Sequence, residues 1–92
     1  MGVVIEIPSA LKQYVNNQDE VEVQGNSVEE AFDSLCKDFA ELKPNLFDEN
    51  GKVRNFINVY LNDDDIRYAD GMNSSVQDGD YIQIVPSVAG GR

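Results

Sequence analysis

The sequence contains no histidine, a single cysteine, and only seven lysines and arginines against seventeen aspartates and glutamates. Without histidine, the usual general base and the commonest metal ligand are missing. One thiol cannot form an internal disulfide or a thiolate metal cage. The formal net charge of −10 argues against nucleic acid and anionic membranes as partners, because both are bound through Lys and Arg clusters. Long hydrophobic runs are also lacking. Val3-Val4-Ile5 is too short for a signal peptide and follows no basic residue, and no stretch approaches the roughly 20 apolar residues that span a membrane. Met1-Gly2 does not read as a myristoylation site, because Glu6 stands where Ser or Thr is needed. A chain of 92 residues is expected to form one domain, burying about 60–65% of its unfolded surface. That size excludes a two-domain enzyme with its active site in a cleft. What remains is a small, acidic, cytoplasmic module, expected to be a carrier or binder and not an enzyme.

Several elements are legible in what is present. Val3, Ile5 and Ile7 alternate with Val4 and Glu6 as a half-buried strand, closed by Pro8. Glu20 to Val23 reads as a second strand, paired with the first as a hairpin after the turn Asn16-Asn17-Gln18-Asp19. Ser27-Val28-Glu29-Glu30 is a capping box with two carboxylates at the positive end of a helix dipole. Val28, Ala31, Phe32, Leu35, Phe39 and Leu42 then form one apolar stripe. This predicts a helix of about four turns, ended by Pro44. After a polar connector with a turn at Asn50-Gly51, Phe56 to Leu61 forms a strand. A turn at Asn62-Asp63-Asp64 leads to a short strand Asp65 to Tyr68. Asp78-Gly79 opens the last strand, Tyr81 to Val85, which Pro86 stops. Strand, strand, helix, strand, short strand, strand is an α+β order.

Three places could carry chemistry. Asp63-Asp64-Asp65 looks like a calcium loop, but Arg67 occupies the fifth position and no distant Glu completes it; a solvated turn, with no metal, is the expectation. Cys36 lies at the edge of the helix stripe, near no cation except Lys37 on another face. Burial should raise its pKa and keep it inert. The third place is the end of the sequence, Ser87-Val88-Ala89-Gly90-Gly91-Arg92. An ordinary terminus carries any residues. Here the side chains shrink from Val88 through Ala89 to Gly90 and Gly91, a taper suited to threading a narrow channel, since backbone without Cβ atoms approaches an enzyme wall closely. From Ser87 to Gly91 the reach is about 17 Å at about 3.3–3.6 Å per residue.

The element order and the ending Val88-Ala89-Gly90-Gly91 resemble the prokaryotic ubiquitin-like sulfur carriers, the family of the molybdopterin synthase small subunit and the thiamin sulfur carrier. Phe56-Ile57-Asn58-Val59-Tyr60-Leu61-Asn62, Ile66-Arg67, Asp70-Gly71, Asp78-Gly79-Asp80 and Ile84-Val85-Pro86 look most like the carriers of cysteine or homocysteine synthesis. The resemblance implies a β-grasp fold: a mixed sheet of four to five strands on one main helix over residues 1–86, with a flexible tail at 87–92. It also implies a cycle. A ubiquitin-activating-like adenylyltransferase uses ATP to adenylate Gly91, a sulfur donor converts it to a thiocarboxylate, and a synthase accepts the sulfur. Gly90, Ala89 and Val88 would be recognised with it. No cofactor would be bound, and ATP and its metal would belong to the partner. The same resemblance leaves room for a molybdopterin synthase subunit, a thiamin carrier, or a protein modifier conjugated through Gly91.

Arg92 departs from this pattern, because it blocks the Gly91 carboxylate with a peptide bond. Either a peptidase, such as a metal-dependent one, removes Arg92, or Arg92 is foreign to the native chain. Alternation also gives a partner face. With Ile57, Val59, Leu61, Ile82 and Ile84 turned toward the helix, Phe56, Tyr60, Tyr81 and Val85 point outward, where aromatic residues serve as binding anchors.

Overall fold

Alternation in the first strand is realised in β1 (Val3–Glu6), where Val3 and Ile5 are buried; the computed structural model describes residues 2–87. β2 (Glu20–Val23) pairs antiparallel with it, Ile5 opposite Val21. The hairpin is not tight, however. A 3-10 helix, Ser9–Val15, buries Leu11 and Val15 between the two strands. Asn16 and Asn17 then reverse the chain in the left-handed region, at φ 57° and 60°, a conformation asparagine tolerates better than most residues. A Lys12–Asp19 ion pair spans the reversal.

The capping box forms. Ser27 Oγ accepts from Glu30 N–H at 3.1 Å, while Glu30 Oε1 accepts from Asn26 N–H at 2.9 Å. α1 (Val28–Asp38) buries Val28, Ala31, Phe32, Leu35 and Cys36. It is shorter than the stripe predicts. Phe39 turns out of helical geometry at φ −132°, ψ 78°, a 3-10 turn Ala40–Leu42 follows, and α2 (Lys43–Leu46) begins anew. Pro44 sits in the first turn of α2, where its missing N–H has no intrahelical partner to lose. It starts a helix where it was expected to end one. The stripe still reaches the core, with Leu42 and Leu46 fully buried and Phe32 meeting Phe47 edge-to-face at 6.1 Å.

β3 (Ile57–Leu61) starts one residue later than expected, so Phe56 precedes it in a turn. Asn62 and Asp63, at φ 51° and 77°, make a two-residue hairpin to β4 (Asp64–Asp65). Residues Ile66–Tyr68, expected in a short strand, form a 3-10 turn instead. Asp65 Oδ1 accepts from Arg67 N–H at 2.9 Å, and that local cap competes with further strand pairing. The expected turn at Asp78-Gly79 places Gly79 at φ +90° and leads into β5 (Tyr81–Pro86). The sheet order is β2-β1-β5-β3-β4, with β1 and β5 parallel and every other pair antiparallel. Five mixed strands wrapped on one main helix meet the β-grasp expectation.

β5 extends through Pro86, which pairs with Ile57 and so does not stop it. Asn62 N–H donates to Tyr81 O at 2.8 Å and Ser87 N–H to Phe56 O at 2.7 Å. Bonded and non-bonded pairs alternate in an antiparallel ladder, so Ile57 and Pro86 fall in a non-bonded pair. The absent proline N–H therefore faces the β1 side, where the ladder has already ended at Glu6–Gln83.

Replacing Phe32, fully buried, by Ala should cost about 3–5 kcal/mol in denaturant unfolding. Pro44→Ala, at an exposed first-turn position, should change stability by less than about 1 kcal/mol. A loss near 3 kcal/mol at Pro44 would contradict this account of the α1–α2 break.

Candidate partner interface and tail root

The outer sheet face follows from strand parity. β5 turns Ile82 and Ile84 inward and Tyr81, Gln83 and Val85 outward; β3 turns Ile57 and Val59 inward and Asn58 and Tyr60 outward. In register, Val85 stands opposite Asn58 and Gln83 opposite Tyr60. Val85 therefore lies diagonal to Tyr60 on one side and to Phe56 on the other, within reach of long side chains. Phe56 at 43% and Val85 at 41% exposure are two of the three large hydrophobic residues exposed among those described. The four expected face residues thus share one surface, although Tyr60 and Tyr81 are half-buried.

Parity applied to Gln83 would have added it to the face. Its amide donates to Glu6 Oε1 at 2.9 Å, and the Tyr81 hydroxyl donates to Glu20 Oε2 at 2.9 Å. Glu6 and Glu20 are directly opposed across β1 and β2, a like-charge pairing that ordinarily destabilises a sheet. The two neutral donors from β5 offset it. Desolvation first, then the hydrogen bond to Glu20 and the charge of Glu6, push the Tyr81 phenol up to about 12.

The chain leaves this face from the sheet's central strand, not from an edge. Ser87 is the last described residue, and both its N–H and its hydroxyl donate to the Phe56 carbonyl, at 2.7 and 3.1 Å. The root of the tail is thereby tied beside two exposed apolar side chains. The expected tail residues Val88, Ala89, Gly90, Gly91 and Arg92 lie outside the described residues.

Cys36 behaves as a core thiol. Burial raises its pKa as expected, opposed by the charge of Lys43, a cation the sequence did not place near it. Asp65 is committed to Arg67, whose guanidinium meets both carboxylate oxygens, the shortest contact 2.7 Å. That contact, with the Arg67 N–H, holds the Asp65 carboxyl below its ordinary range. Among the described residues, no helix is long and apolar enough to cross a membrane, and no group of three or more His, Cys, Asp or Glu could hold a metal ion.

Fold and surface together define a ubiquitin-like β-grasp domain whose central strand leads into its last described residue, Ser87. Residues 5–91 match the ThiS family, and the chain belongs to that family. It is 32% identical over 93 residues to the sulfur carrier protein CysO of Mycobacterium tuberculosis (strain H37Rv), covering 99% of this chain and 100% of that protein. Among solved structures it is similar to a chain in the Amycolatopsis orientalis BexX/CysO complex, at TM-score 0.89 and 39% identity, covering 98% of this chain and 100% of the other. It is also similar to small archaeal modifier protein 1 of Methanosarcina acetivorans, at TM-score 0.83 and 27% identity, covering 97% and 95%. Sulfur-carrier homology thus extends over the whole length.

A raised phenol pKa stabilises the fold fully below the unfolded value near 10, and that contribution is lost as pH rises through about 12. In an ultraviolet phenolate titration, one of the four tyrosines should ionise near pH 12. Tyr81→Phe should remove that step, and Glu20→Gln should lower it.

Proposed function

We propose that this chain is a sulfur carrier, itself a substrate of its partners and not a catalyst, that feeds cysteine synthesis through Gly91. The ThiS match carries the reading, because it runs to residue 91 and so includes Gly90-Gly91. The full-length likeness to CysO supports the pathway, and the chain solved with BexX supports docking on partner enzymes.

The chemistry follows from a terminal carboxylate. A Gly91 carboxylate oxygen attacks the α-phosphorus of ATP held by a ubiquitin-activating-like adenylyltransferase, and pyrophosphate leaves. Sulfide then attacks the acyl carbon, the bond to AMP breaks and AMP leaves, so that Gly91 ends in a thiocarboxylate. A sulfur-accepting synthase takes the sulfur onto its substrate, and hydrolysis by water of the acyl group left on Gly91 returns the carboxylate. The reactive group is the chain's own terminus, so no side-chain nucleophile is needed. Gly90, Ala89 and Val88 let the segment enter a narrow channel, while Phe56, Tyr60, Tyr81 and Val85 give the enzyme a surface beside its root. Arg92 must be removed first, because an amide at Gly91 is not a free carboxylate.

Intact chain and chain lacking Arg92 are incubated with the cognate activating enzyme, ATP and a sulfide source, and followed by mass. Only the shorter form should gain the roughly 16 Da expected when a carboxylate oxygen is exchanged for sulfur. Equal conversion of both would overturn the role of Gly91. Likeness to an archaeal modifier protein favours one second reading, conjugation to lysines through Gly91. Isopeptide-linked adducts in the native cell, with no thiocarboxylate, would establish that reading instead.

Tyr60→Ala should weaken binding to the activating enzyme about fivefold to tenfold, as truncation of an interface anchor does, while the far-ultraviolet spectrum stays unchanged. Unaltered affinity would exclude the face.

A further inference from the structure

Arg54 stands where two outward-open cavities meet. One, of about 270 Å³, lies against Val53, Val59 and Met72; the other, of about 410 Å³, lies against Leu11, Tyr14 and Phe56, and Arg54 and Ile57 line both. The first opens at a gap in the sheet. β4 covers only Tyr60 and Leu61 of β3, so among the described residues no strand lies beside Ile57–Val59 on that side, and an uncovered strand edge is a template for a further extended chain. The second cavity reaches Pro86, at the root of the tail.

The charge at this junction runs against the rest of the molecule. Among the described residues no acidic side chain lines either cavity, whereas Arg54 lines both and Arg67 the first, in a molecule of net charge −10. Arg54 Nε donates to the Pro44 carbonyl at 2.8 Å, which holds the stem of the guanidinium and leaves its two Nη groups for a planar acceptor. Among the described residues Arg54 makes no salt bridge, as is also true of Lys37, Lys43 and Lys52, and its charge is felt at Asp48 without direct contact.

We propose that this junction binds an extended segment of a partner protein that carries a carboxylate flanked by apolar side chains. The carboxylate is taken by the Nη donors of Arg54, and the apolar side chains enter the cavities on either side. A net charge of −10 repels a carboxylate over most of the surface. A guanidinium held at Nε between two apolar hollows gives it a place to bind. Phe56 belongs both to the second cavity and to the sheet face, so the segment continues that interface. Assigning it to an enzyme that handles the tail rests on the proposed function; the binding itself does not.

The test uses ¹⁵N-labelled full-length chain titrated with the peptide acetyl-Leu-Val-Glu-Val-Leu-amide and with its Gln counterpart. Saturable amide shifts are expected at Arg54, Phe56, Ile57 and Val59, with the Gln peptide roughly tenfold weaker. Arg54→Gln should abolish the difference between the peptides. Arg54→Lys, which keeps the charge and loses the fork, should retain part of it. The proposal fails if no saturable shifts occur, if the two peptides bind equally, or if the shifts fall on Tyr81 and Gln83 instead. A chain ending at Ser87 separates the remaining occupant. If removing residues 88–92 itself shifts the cavity amides and tightens peptide binding, the chain's own terminus occupies the junction and the partner segment is excluded. Peptide binding with no sulfur transfer to Gly91 would overturn the functional reading and leave this one standing.

Discussion

Parallel pairing of β1 with β5 is the constraint on which the rest of the molecule depends. Val4, Ile5 and Glu6 lie beside Tyr81, Ile82 and Gln83, joining residues nearly eighty positions apart in the middle of the sheet. Such a long-range contact forms against the entropy of closing a long loop, so it needs a strong apolar core on one face. Ile5 and Ile82, both fully buried, supply part of that core directly beneath the pairing. β5 is then flanked on both sides, and the sequence beyond it begins at a fixed point. An edge strand would leave that departure point free to fray or to pair with another chain.

Pro86 and Ser87 show how the fixed point ends cleanly. Proline is tolerated inside a sheet only where its missing donor meets no ladder partner, and here it faces the side from which β1 has gone. Ser87 closes the ladder by giving two donors to one carbonyl of Phe56. Read from the sequence alone, Pro86 predicts a stop. The register shows a strand that continues for one more pair and is then tied down. What proline removes is pairing on one side only.

The elements legible in the sequence are those whose cause is local. The Ser27–Glu30 capping box, the alternation at β1, β3 and β5, and the turns at Asn50-Gly51 and Asp78-Gly79 depend on neighbours within four residues, and each appears in place. The break at Phe39 has a different origin. The apolar stripe continues past it, so periodicity predicts an unbroken helix. The chain nonetheless places Leu42 and Leu46 in the core through a 3-10 turn and a fresh helix start. The extent of the short β4 is likewise hidden, because Asp65 caps Arg67 locally instead of leading a longer strand. Of the candidate surface, strand parity reveals the face residues Tyr60, Tyr81 and Val85. It does not reveal Tyr81 bonded to Glu20, or Arg54 between two cavities, since both join segments distant in sequence.

Charge and reactivity divide across the molecule for a related reason. The sequence holds no histidine, and burial raises the pKa of its one thiol, so the described side chains offer little nucleophilicity. Acidity is tolerable in such a domain provided its carboxylates are restrained locally. Glu6 and Glu20 are opposed yet each accepts a hydrogen bond from β5, the strand that leads to the tail. The same bonds that ease repulsion between β1 and β2 therefore brace β5 against both of those strands. The end of β5, after which Val88 to Gly91 follow in sequence, is held by rigidity and not by reactive side chains. Here that rigidity comes from polar groups on the outer face working in register with the apolar core beneath.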